Sequence, residues 1–127
     1  MQIKINTNIT AKIGDTNVEL WCSYIKDGGD YIFYIYMKAR NKSSEEYLQI
    51  ATFYSTELNR EAALTGDYLT GGVSIINPSD ESDEAMLTFN KIQCVDETDH
   101  ICGISHDTNG IIHKKQIIFT SITVTSK

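Results

Sequence analysis

Leu87–Cys102, LTFNKIQCVDETDHIC, is the stretch whose reading decides the fold. Its first half alternates apolar and polar side chains, as a strand with one buried face does. Asp96 then opens a turn six positions before Cys102, and His100 sets an aromatic-like ring two positions before it. Cys22 lies eighty residues upstream, and Cys94 sits inside the stretch itself. Three cysteines are an odd count, so at least one stays outside any internal bridge. Two pairings are open at this point. Cys22 with Cys102 closes a loop that stabilises a fold by roughly 4–5 kcal/mol on the chain-entropy estimate. Cys94 with Cys102 closes only eight residues and leaves the two halves of the chain unlinked.

Outward from that stretch, the chain reads as strands. Ile, Thr, Tyr and Val are plentiful and Pro78 is the one proline, a composition that suits pleated, half-buried surfaces. Strand-like segments fall at about 2–13, 17–25, 31–39, 46–54, 71–76, 84–91, 99–105 and 111–125. Val18, Leu20, Cys22 and Tyr24 alternate with Glu19, Trp21 and Ser23, so one set faces a core. Tyr31 to Ala39 is an almost unbroken apolar run, as a central strand has. Asp107-Thr108-Asn109-Gly110 is a hairpin turn, because Asn-Gly accepts the positive φ a tight turn needs. Thr56 to Leu64 has the composition of a short helix or an irregular edge segment. At 127 residues, with no repeat and no linker, the expectation is one domain over 1–127.

The Leu87–Cys102 stretch resembles the E-to-F region of an immunoglobulin V-type domain. Gly14 followed by Val18-Glu19-Leu20-Trp21-Cys22 is similar to the A′–B region of that family, and the resemblance spans nearly the whole chain. It implies an all-β, two-sheet Greek-key sandwich with extra C′ and C″ strands, and a Cys22–Cys102 disulfide between the sheets. Cys94 is then a free or intermolecular thiol. A bridge of that kind suits an oxidising compartment. Met1–Asn6 lacks the continuous apolar region of a secretory leader, so the expectation is an extracellular fragment whose leader is absent from this chain.

Four departures separate the chain from vertebrate antigen receptors. His100 stands where tyrosine is expected, and strand C has no tryptophan, leaving Ile35 or Tyr34 to pack on the disulfide. Asp96 has no evident basic partner nearer than Arg60, and the last strand lacks a Phe-Gly-x-Gly bulge. With these departures the chain looks more like invertebrate recognition domains, such as those of molluscan fibrinogen-related lectins or cnidarian allorecognition receptors. A virus-encoded mimic is a further possibility.

Seven tyrosines lie between positions 24 and 68 and none after. Tyr34, Tyr36 and Lys38 share one face of strand C, and Tyr47 and Gln49 the outer face of C′. Such rings supply rigid amphipathic contact area. In V-type domains the G-F-C-C′ face is the usual partner-binding face, so these five residues are the expected contact set. The rival reading is that the rings merely cover a lone sheet. Trp21 points away from the bridge side and is expected to be covered by a neighbouring strand. Asn8-Ile9-Thr10 and Asn41-Lys42-Ser43 are glycosylation sequons, with Asn8 and Asn41 as acceptors.

The net charge of −6 argues against nucleic acid and anionic bilayers. No apolar run approaches the roughly 20 residues of a membrane span. His106, Asp107 and His113 flank the hairpin and read as surface polar residues rather than a metal site; the acidic run 80–84 reads as a solvated loop. No phosphate loop and no nucleophile–base pair is present, so neither an enzyme nor a cofactor is expected. The expected function is extracellular protein–protein recognition, in adhesion or in immune or self recognition, with a homodimer included. The alternative is a glycan-binding module. Gly103-Ile104-Ser105 offers no arginine for a sialic-acid carboxylate, so neutral sugars would be its ligands. A structural spacer domain is the third reading.

Overall fold

A computed structural model describes residues 2–7, 9–25, 28–54, 63–64, 73–76, 84–108 and 110–126, the side chains of residues 30, 64, 76, 108 and 111–116 excepted. Ten strands are present: β1 (Gln2–Ile5), β2 (Ile9–Lys12), β3 (Val18–Ile25), β4 (Asp30–Arg40), β5 (Tyr47–Tyr54), β6 (Ala63–Leu64), β7 (Val73–Ile76), β8 (Glu84–Phe89), β9 (Asp99–Thr108) and β10 (Ile111–Thr125). A four-stranded sheet runs β1-β3-β8-β7, and a six-stranded sheet runs β2-β10-β9-β4-β5-β6. This is the expected V-type sandwich, with β5 and β6 as the extra C′ and C″ strands.

The inner faces follow from period-two alternation. Leu20 and Cys22 on β3, Ala85, Leu87 and Phe89 on β8, and Cys102 and Ile104 on β9 are buried against one another. Cys22 and Cys102 are joined by a disulfide, with Cα atoms 6.4 Å apart. Ile35 lies in the core beside it, whereas Tyr34 turns to the outer face. The parity that separates those two neighbours depends on a bulge. Ile32 pairs with His106 but Tyr34 pairs with Ser105, so one extra residue lets Ile32, Ile35 and Met37 all face inward.

Three expectations change in the structure. The segment read as one strand over 2–13 is two, in different sheets. At the switch, Asn6 Oδ1 accepts the Trp21 N–H at 3.0 Å, and Asn6 Nδ2 donates to the Glu19 carbonyl at 2.8 Å. Its own carbonyl accepts Thr120 Oγ1–H from the other sheet at 2.8 Å. The possible helix over 56–64 lies outside the described residues except for Ala63 and Leu64, which pair with β5 as a strand. His106 is not a surface residue: it points inward and is buried, while Asp107 projects from the opposite face as strand neighbours must. The described part of the putative His106–Asp107–His113 group is therefore split across the sheet. Among the described residues no group of three such side chains is placed to hold a metal ion.

His100 fills the corner where the resemblance expects tyrosine. The ring is fully buried, sits edge-to-face with Phe89 at 6.2 Å, and its Nδ1 lies 3.1 Å from the Thr98 carbonyl. Burial lowers its pKa to about 4, against smaller opposing effects from that carbonyl and from Asp99. Nδ1 therefore carries the proton and donates it to Thr98. Asp96 accepts the Gln93 backbone N–H at 2.8 Å in the adjoining turn. Burial raises the Asp96 carboxyl, partly offset by that bond.

Candidate functional site

The outer face of the six-stranded sheet is built by β10, β9, β4 and β5, in the places of G, F, C and C′. Pairing places Tyr34 beside Tyr54 and Ser105, Tyr36 beside Thr52 and Gly103, Lys38 beside Gln49 and Ile101, and Arg40 beside Tyr47. On β10, Ile117 stands beside Gly103 and Phe119 beside Ile101. All five residues expected on this face are there.

They do not play equal parts. Tyr36 is only 2 % exposed although it lies on the outer side. Its ring lies across strand β9 at Gly103, where an added Cβ would run into the phenol. Lys38 Nζ sits 5.3 Å from the Tyr36 centroid, and the Tyr34 ring tilts against it at 6.1 Å. Burial, and beyond it the Tyr34 phenol, raises the Tyr36 pKa, so this hydroxyl stays neutral. Tyr36 and Ile101 are thus the floor of the face rather than its contact surface. Tyr34, Lys38 and Tyr47 are half-buried, and Gln49 is exposed, with its amide donating to Thr52 Oγ1.

Gly103 is the residue that permits this floor. Gly103→Ala is expected to displace the Tyr36 ring and cost about 1–3 kcal/mol as an overpacked site does. Urea unfolding measures it. In a Tyr36→Ala background the same change should cost little, because the clashing atoms are gone. Equal costs in both backgrounds would remove the ring from the explanation.

Phe119 at 61 % and Ile117 at 47 % are the large apolar side chains most open to solvent here, and the sequence reading did not select either. Tyr47 reaches over the sheet to meet Phe119 edge to face at 6.3 Å. At this end of the face, Arg40 approaches Glu45 at 3.3 Å and Asp99 at 3.9 Å.

The remaining candidates lie elsewhere. Cys94 opens a single 3-10 turn (Cys94–Asp96), exposed and unbonded to another cysteine, beside the exposed Val95. Asn41 is exposed in the β4–β5 turn, where its Oδ1 accepts the backbone N–H groups of Ser43 and Ser44 at 2.9 and 3.2 Å. Asn8 lies outside the described residues, as does Tyr68. Trp21 is half-buried on the outer face of the smaller sheet, alongside Met86. Among the described residues no helix is long and apolar enough to cross a membrane.

No family model matches the sequence, and no curated protein matches it. Solved structures do. The domain of murine CRIg superimposes with a TM-score of 0.76 at 15 % identity, over 98 % of this chain and 99 % of that one. At that identity the likeness shows the fold: an immunoglobulin V-type sandwich. As many as 1933 solved chains match, so the frame is widely shared and does not by itself select a function. The comparison lends no support to the invertebrate or lectin kinship drawn from the sequence departures.

Proposed function

We propose that this chain is an extracellular recognition module that contacts another protein, in adhesion or in immune or self recognition, through the outer face of β10, β9, β4 and β5. The observation that carries this is the collection of large side chains on one sheet face: Phe119 and Ile117 open to solvent, Tyr34 and Tyr47 half-buried, over a floor of Tyr36 and Ile101. Aromatic and aliphatic side chains grouped over a packed base are what contact surfaces use. A face of this kind also suits isologous pairing with a second copy. An oxidising, extracellular setting accords with the Cys22–Cys102 bridge. A glycan at Asn41 would project from the turn beside this face, and Asn8 is a second acceptor. Cys94 serves as a free thiol or as an intermolecular link.

A tetramerised form of the chain, titrated against a panel of secreted and cell-surface proteins, tests the reading. Tyr34→Ser and Ile117→Ser are expected to weaken the bound partner about tenfold each, as central contact residues do. Glu19→Ala and Lys4→Ala, on the smaller sheet, should leave it unchanged. Light scattering with the same variants reads self-association. Binding that ignores the first pair and follows the second would move the site to the other sheet.

A further inference from the structure

Toward its β10 edge, the face ends in a cleft of about 370 Å³ lined by Thr7, Asp99, Phe119, Thr120 and Ser121. Its two chemically distinctive groups are a carboxylate and an exposed aromatic ring. The Asp99 side chain is 48 % exposed, and Arg40 stands 3.9 Å away. That distance is too long for a hydrogen bond. Arg40 also stands closer, at 3.3 Å, to Glu45. The Asp99 carboxylate therefore keeps room for a second cation. Phe119 is held by the edge contact with Tyr47 and remains open to solvent. Thr120 Oγ1 is committed to the Asn6 carbonyl, while Thr7 and Ser121 are exposed.

We propose that this cleft receives a basic side chain, arginine foremost, from the partner protein; this rests on the protein-recognition reading above and deepens it. A cation on an apolar stem answers both groups at once. The guanidinium donates to the open oxygens of Asp99, and its plane or stem lies against the Phe119 ring. The net charge of −6 draws basic surfaces toward the chain as a whole. A neutral sugar would stack on the ring but leave the carboxylate's charge unmatched.

The test needs no identified partner. Isotope-labelled chain is titrated with N-acetyl-arginine amide, with the uncharged isostere N-acetyl-citrulline amide, and with methyl glucoside, while backbone amide shifts are followed. The arginine compound is expected to move the amides of Asp99, Phe119 and Ser121, and the citrulline compound is not. Asp99→Asn and Phe119→Ala should each weaken arginine binding about threefold, the size of an exposed cation–ring or ion-pair contact. Equal shifts from citrulline, or none from arginine, overturn the proposal. Shifts from the glucoside alone replace it with a sugar site. A silent arginine probe alongside a partner that still responds to Tyr34→Ser removes the cleft assignment and leaves the face. Arginine binding alongside a partner indifferent to Tyr34 and Ile117 removes the face and leaves the cleft.

Discussion

Replacing Cys22 and Cys102 together by alanine is expected to lower the free energy of unfolding by about 4–5 kcal/mol on the chain-entropy estimate. The bridge joins strands eighty residues apart in opposite sheets, so its loss frees most of the denatured chain. Domains are stable by only about 5–15 kcal/mol, so the variant sits near the limit of folding. Urea unfolding followed by Trp21, the single tryptophan and the neighbour of Cys22, measures it. Cys94→Ser is the control: the exposed thiol has no bridge to lose and should leave the midpoint in place. A double variant with the wild-type midpoint would show that packing of Leu20, Ile35 and Leu87 holds the sheets without the covalent tie.

Acidification from pH 6.5 to pH 4 is expected to remove about 3 kcal/mol of stability through His100 alone. The sign follows from the direction of the shift. Burial lowers the folded-state pKa to about 4 from the ordinary 6.5. The unfolded chain therefore takes up the proton first, and the contribution is present above pH 6.5 and lost as pH falls toward 4. Asp96 acts oppositely, because its carboxyl is raised by burial; protonating it favours the folded state, and only near the carboxylate range. His100→Phe isolates the effect. It keeps a ring against Phe89, and the Thr98 carbonyl retains the Ile122 N–H at 3.2 Å. Denaturant midpoints of the variant should vary less with pH over that window. A wild-type slope that survives the substitution would assign the proton uptake to another group.

Much of the fold was legible because its signals are local. Alternation in β3 and β8 names the buried set, Asn109-Gly110 names the hairpin, and the Leu87–Cys102 pattern names the sandwich. The face was legible on β4 and β5, where tyrosines mark it, and illegible on β10. The reason is parity. Counting from the hairpin, Ile111 pairs with Thr108 and His113 with His106, which would carry Phe119 opposite the inward His100. A bulge between His113 and Gln116 shifts the count by one, so Phe119 meets Ile101 and faces out. Residues 117–124 carry apolar side chains at both parities, so composition gives no means of detecting the shift. The burial of Tyr36 was hidden for a related reason. It depends on Gly103, sixty-seven positions away, leaving space above the neighbouring strand.

The switch at Asn6 also bears on the order of assembly. Strand β2 lies parallel to Ile122–Thr125, and the carbonyls of Asn6 and Ala11 wait for hydroxyls 114 residues further along. As synthesis proceeds, this opening segment has no sheet to close until β10 has emerged. The earliest-made residues are thus among the last to settle. Until then the rim between the two layers stands unsealed, a window in which chaperones or a second nascent copy can reach the unfinished interior.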